Sequence, residues 1–139
     1  MTAVIDMKAM RYINLLDKVS RVRTRKCFIY NNIIYFAVNK RQVSRAIGNA
    51  ASNIKKIQEK TGKKVRIIKE ADGKQDLKTF VEAIVSPAKL KSIEINENLL
   101  TITAGNKQNK ASLIGRDKRR YEELKKILQD FFNLDLKII

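Results

Sequence analysis

The stretch Ala46-Ile47-Gly48-Asn49-Ala50-Ala51-Ser52-Asn53-Ile54-Lys55-Lys56-Ile57 decides the fold. An apolar pair runs into a glycine and a loop of small residues, and a second apolar periodicity begins at once. Ile54 and Ile57 fall on one face of the helix that follows. The pattern returns as Leu113-Ile114-Gly115-Arg116-Asp117-Lys118-Arg119-Arg120-Tyr121-Glu122-Glu123-Leu124. Glycine between two helices permits close backbone approach, and the second helix opens with unpaired N–H groups and a positive dipole end. Such a junction suits a phosphate.

The duplication reaches well outside the loops. Upstream of Gly48, Lys26 to Tyr30 and Ile33 to Val38 are β-rich runs around Asn31-Asn32, a hairpin signal. Upstream of Gly115, Lys91 to Ile95 and Leu99 to Thr103 flank Asn96-Glu97-Asn98. Short polar helices are expected over Lys40 to Ile47 and Lys107 to Ile114. Closing strands are expected over Lys64 to Ile68, after a helix ended by Gly62, and over Leu134 to Ile138. Each unit also starts with a helix. Asp6 is placed as N-cap of one carrying Met10, Ile13, Leu16 and Val19, while Leu77, Phe80, Val81 and Ile84 give the other an apolar face that stops before Pro87. The later long helix repeats with Tyr121, Leu124, Ile127, Leu128 and Phe131. The polar run Glu70 to Gln75 is the boundary, so two domains are expected, 1–71 and 72–139. Each reads helix–strand–strand–helix–helix–strand, an α+β unit with a three-stranded sheet and helices on one face.

Charge narrows the partner. The chain of 139 residues has a formal net charge of +16 and a pI near 10.1. A surface of this kind attracts phosphates and releases their counterions. The field is uneven: residues 1–71 hold 17 Lys+Arg against 4 Asp+Glu, a net of +13, whereas 72–139 hold 13 against 10, a net of +3. Arg21, Arg23, Arg25 and Lys26 form a second basic run away from the loop. The longest apolar run, Ile33 to Val38, is too short to span a bilayer, and no lipidation or secretory pattern is visible, so no membrane partner is expected. The lone Cys27 cannot form an intramolecular disulfide and reads as a buried strand thiol in a reducing, cytoplasmic setting.

Enzymatic function is not expected. The chain has no histidine, and its one cysteine cannot build a zinc site. No Walker loop or dinucleotide fingerprint is present. Glu122 and Glu123 point in different directions from adjacent helical positions, as exposed partners for Lys125 and Lys126. Neither a catalytic group nor a metal or cofactor is assigned.

The duplicated layout resembles the type II KH domain, and two in tandem resemble the archaeal NusA family of transcription factors. The residues that carry the resemblance are Ala46-Ile47-Gly48 with Asn53-Ile54-Lys55, Gly62-Lys63-Lys64-Val65, Ser86-Pro87-Ala88-Lys89-Leu90-Lys91-Ser92-Ile93-Glu94-Ile95, and Ile114-Gly115-Arg116. The resemblance implies single-stranded RNA as ligand, about four nucleotides gripped per glycine loop, and a role in transcription termination or antitermination. RNA polymerase or another transcription complex is then an expected partner of a monomeric protein.

Carried onto this sequence, the RNA-binding residues are Arg45, Gly48, Asn49, Ala50, Ala51, Lys55 and Lys56 in the first unit. In the second they are Gly115, Arg116, Asp117, Lys118 and Arg119. Ile47, Ile54, Val65 and Ile67 are expected as aliphatic groove walls. Tyr30, Tyr35, Phe36, Phe131 and Phe132 are read as core residues and not as stacking platforms. The family loop has the form GxxG, and its second glycine is replaced here by Ala51 and Lys118. Alanine is expected to sit there at little cost as part of a helical first turn. Lys118 adds bulk and a cation, and the Asp117 carboxylate should repel RNA. The first loop is therefore expected to dominate. The alternative from another class is a KH-fold docking module in an RNA polymerase or ribosomal assembly.

Overall fold

Asn31 and Asn32 take φ of 52° and 62°, the left-handed pair that a two-residue hairpin turn demands and that asparagine tolerates well. They join β1 (Lys26–Tyr30) to β2 (Ile33–Val38), antiparallel, with Tyr30 opposite Ile33. The structure is a computed structural model and describes residues 7–139, so the Asp6 cap lies outside the described residues. β3 (Lys64–Lys69) lies on the other side of β2 and runs parallel to it. A parallel neighbour cannot be reached by a tight turn and needs a crossover. Here α2 (Val43–Ile47) and α3 (Ser52–Thr61) make it, and the glycine loop is the joint between them.

One face of this sheet carries the core. The cross-strand row Cys27, Phe36 and Ile67 and its neighbour row with Ile34 and Val65 pack on Leu16, Ala46 and Ile57. Ile57 and Phe36 are fully buried, each contributing about 2–3 kcal/mol of apolar transfer. Val65 and Ile67 belong to this core; strand alternation turns them toward the helices. Residues two apart share a face, so Phe28, Tyr35 and Arg66 form the row on the opposite side. The Phe28 and Tyr35 rings stack at 5.4 Å, with Tyr30 edge-on to Tyr35 at 6.3 Å. All three are buried. Arg66 donates from Nη1 to the Tyr35 hydroxyl at 3.3 Å. Burial pushes the Tyr35 pKa up, and the Arg66 charge and hydrogen bond oppose that shift.

In the first helix, α1 (Met7–Ser20), Ile13, Leu16 and Val19 meet the core as expected, joined by Ala9, Tyr12 and Leu15. Met10, also expected there, is 49% exposed. Ser20 is buried but satisfied: its hydroxyl donates to the Leu16 carbonyl at 2.6 Å and accepts from Val22 N at 3.1 Å.

The chain separates between Asp72 and Gly73 into two compact units. The second opens with α4 (Lys74–Val85), whose Leu77, Phe80, Val81 and Ile84 are buried. β4 (Ser92–Asn96) starts and ends one residue later than expected, because Asn96 pairs with Leu99 across a turn of Glu97 and Asn98. β5 (Leu99–Thr103) pairs in parallel with β6 (Asp135–Ile138), and α5 (Lys107–Ile114) with α6 (Arg119–Phe132) makes the crossover. The strand order repeats that of the first unit. Leu113, Leu124, Ile127 and Leu128 are buried along with Ile93, Leu100, Ile102 and Leu136 of the sheet. Asn133 ends α6 in the left-handed conformation with its N–H on the Gln129 carbonyl at 3.2 Å, an αL closure, and Leu134 N returns to the Leu128 carbonyl at 3.1 Å, seating buried Leu134. Lys125 reaches Asp135 at 4.0 Å and lies over the Tyr121 ring, not back toward Glu122.

Candidate nucleic-acid interface

The two glycine loops have one shape despite sharing only the glycine. Gly48 (φ 80°, ψ 168°) and Gly115 (φ 76°, ψ 175°) end α2 and α5. Their N–H groups close those helices on the Ser44 and Ala111 carbonyls at 3.0 and 2.9 Å. A tight turn follows over Asn49–Ala51 or Arg116–Lys118, closed by Ala51 N on the Gly48 carbonyl at 3.1 Å and by Lys118 N on the Gly115 carbonyl at 3.3 Å. Within it Ala50 and Asp117 take φ of 52° and 55°, and Ala51 and Lys118 both take 60°. Each loop thus holds two successive left-handed residues without a glycine among them. The expectation that Ala51 joins a helical first turn is corrected: its αL conformation costs a side-chain-bearing residue roughly 1–2 kcal/mol. Asp117 tolerates that region better than most residues.

What holds this shape is a strap across each loop. Asn53 Nδ2 donates to the Arg45 carbonyl at 3.1 Å, and Arg120 Nη1 donates to the Ser112 carbonyl at 3.0 Å. In both units a side chain five residues after the glycine ties back to a carbonyl three residues before it. The straps also explain the glycines. A Cβ on Gly48 would sit 2.7 Å from Ser52 Oγ and 2.9 Å from Asn53 Nδ2, and one on Gly115 would sit 2.8 Å from Arg120 Cγ. The glycine is therefore required by the loop's own packing, a reason beyond approach by a ligand. Spacing alone gave no sign of the straps, since asparagine and arginine share only a terminal N–H donor.

The side chains named from the sequence divide cleanly. Arg45, Asn49, Ala50, Lys55 and Lys56 are exposed around the first loop, with Gly48 and Ala51 half-buried. Arg116, Asp117, Lys118 and Arg119 are exposed around the second, with Gly115 half-buried. Arg120 is half-buried on its strap. Charges beyond about 8 Å are largely screened at physiological salt, so these loop and first-turn residues set the local field. Neither Ala51 nor Lys118 caps the following helix with its side chain, which leaves the dipole ends of α3 and α6 to an outside acceptor. Ile47 and Ile54 are half-buried beside the first loop. Val65 and Ile67, expected as groove walls, are instead 5% and 9% exposed in the core. Tyr30, Tyr35 and Phe36 are likewise buried. Among the described residues no group of three His, Cys, Asp or Glu side chains could hold a metal ion, and no helix is long and apolar enough to cross a membrane.

Two helices hinged on a strapped glycine loop, laid over a three-stranded sheet, define a nucleic-acid-binding module of the KH type. A family model described as KH domain matches residues 33–114, more than half of the chain, and the chain belongs to that family. The chain is also similar to archaeal proteins named for transcription termination. It is 24% identical over 137 residues to a protein of Halococcus morrhuae named probable transcription termination protein NusA, covering 97% of this chain and 96% of that one. A protein of the same name from Methanocaldococcus jannaschii is 27% identical over 120 residues, 84% of this chain and 64% of that protein. Another, from Thermoplasma acidophilum, is 23% identical over 134 residues, 94% and 91% of the two chains. A solved structure titled "Crystal structure of APE1850" superimposes with a TM-score of 0.67 at 23% identity, over 97% of this chain and all of that one.

Proposed function

We propose that the chain is a pair of type II KH domains, residues 1–71 and 72–139, that binds single-stranded RNA as part of a transcription complex and acts in termination or antitermination. The observation that carries this reading is the repeated strapped loop: one backbone shape, held by unrelated residues, set beneath an uncapped helix and ringed by cations. Each loop grips the sugar-phosphate backbone, with about four nucleotides per unit. Arg45, Lys55 and Lys56 neutralise phosphates at the first loop, and Arg116, Lys118 and Arg119 do so at the second. Ile47 and Ile54 give bases an aliphatic surface. The names of the relatives support the transcriptional setting.

The first loop dominates, because it holds no acid and lies in the half of net +13. Asn49→Asp with Ala50→Asp should weaken single-stranded RNA binding at least about tenfold, or 1.4 kcal/mol, measured by filter binding. Both positions are exposed, and aspartate accepts the Ala50 backbone. Asp117→Asn removes the repelling carboxylate while keeping left-handed tolerance, and should tighten binding modestly. With four to six phosphates neutralised, log K against log salt should fall with a slope of about −3 to −4. A flat salt response, or equal affinity for duplex, refutes the clamp. If the aspartate pair binds like wild type while Arg116→Ala with Lys118→Ala loses affinity, the second loop is the principal one.

A further inference from the structure

Three of the chain's ten arginines fall within five residues, Arg21, Arg23 and Arg25, between α1 and β1 and away from the glycine-loop segment of the sequence. The segment is built to display them. Arg21 ends α1 at φ 63°, its N–H on the Asp17 carbonyl at 2.8 Å. Val22 then turns inward, fully buried, with its N–H on Ser20 Oγ. Thr24 also turns inward, its hydroxyl donating to the Ala37 carbonyl of β2 and accepting from Lys26 N. The intervening residues Arg21, Arg23 and Arg25 are all exposed. With Val22 and Thr24 turned inward, the three arginines lie on the outer side of one short pinned segment, a cluster that can contact neighbouring phosphates of a strand. Arg23 is 86% exposed and bonds Asp17 through Nε at 3.0 Å, which offsets one charge and fixes that guanidinium.

We infer that this arginine comb is a second RNA-backbone site, separate from the glycine loops, which takes phosphates of the same strand beyond the nucleotides that the loops hold. Guanidinium forks match phosphate oxygens in a way that lysine ammonium groups do not. Anchoring at Val22 and Thr24 fixes the backbone from which the arginines project, so binding adds no cost of ordering the loop itself. The inference rests on the RNA-binding reading of the chain, and its test separates the two.

The variant Arg21→Gln with Arg25→Gln alters only exposed side chains, so its thermal melt should match that of wild type. Binding is measured with oligouridylates of about eight nucleotides, sized to the two loops, and of about twenty. For the longer strand the salt slope should become shallower by about 1.4, at 0.7 per phosphate lost, and affinity should fall on the order of tenfold at low salt. The shorter strand should bind as before. An unchanged slope and affinity with the longer strand overturns the comb and leaves the loops standing; an equal loss at both lengths also overturns it, by placing the arginines at the loop-bound segment. If neither the first-loop aspartate pair nor Arg116→Ala with Lys118→Ala changes binding while the arginine variant loses the longer strand, the loop assignment falls and the comb stands. If wild type binds neither strand, both fall. Poly-glutamate competing as well as RNA through the same arginines would assign the comb to an acidic polypeptide and overturn it as an RNA site.

Discussion

Replacing Ala51 by glycine should stabilise the first unit, against the usual rule that glycine weakens a structure. The αL backbone at φ 60° costs an alanine roughly 1–2 kcal/mol that glycine does not incur. Glycine in turn loses about 0.5–1 kcal/mol through greater freedom of the unfolded chain. The difference is a gain of about 0.5–1 kcal/mol. Urea unfolding followed by far-ultraviolet circular dichroism reads this as a higher midpoint at unchanged slope. Ala111→Gly is the matched control, because Ala111 is exposed inside α5 and should lose about 1 kcal/mol there. The two substitutions should move the midpoint in opposite directions. If Ala51→Gly destabilises as Ala111→Gly does, residue 51 is not left-handed and the account of the loop fails. Lys118→Gly at the equivalent position extends the test: it relieves the same backbone while removing a cation, so stability should rise as RNA affinity falls.

The straps and the buried tyrosine give further expectations. Asn53→Ala should cost about 1 kcal/mol for its lost hydrogen bond and speed amide exchange at Ala51, with Arg120→Ala doing the same for Lys118; stability and exchange unchanged in both would show that the straps hold nothing. Tyr35 has a folded pKa raised above its ordinary value, first by burial, so its contribution is fully present below the unfolded pKa of about 10 and is lost as pH climbs through the folded value. Wild-type stability should therefore decline more steeply above about pH 10 than that of Tyr35→Phe, and parallel alkaline profiles would contradict the burial argument.

The fold was legible where chemistry acts locally. Asn31-Asn32 admits few backbones other than a hairpin turn, and Gly62 ends α3 in the left-handed conformation expected of it. Leu77, Phe80, Val81 and Ile84 give a helical face that packing preserved. What escaped the sequence depended on register or on partners distant along the chain. Met10 fits a helical stripe as well as Ala9 does, and only packing against the rest of the unit chooses between them. Val65 and Ile67 were recognisable as apolar strand residues, yet which side of β3 faces the helices is set by pairing with β2. The loop positions were found through their glycines. Their conformation was not, because nothing in an Ala-Ala or Asp-Lys pair announces two left-handed residues, and the straps join groups that no common motif links.

The segment from glycine to strap, Gly48 to Asn53 and Gly115 to Arg120, is a portable cassette. Its ends supply the bend and the tie, and the four residues between them are left to vary. In one unit they read Asn-Ala-Ala-Ser and in the other Arg-Asp-Lys-Arg, a change of charge made with no change of path. On the proposed reading, grip on a polyanion is set in each unit by these residues alone, while the sheet beneath stays untouched.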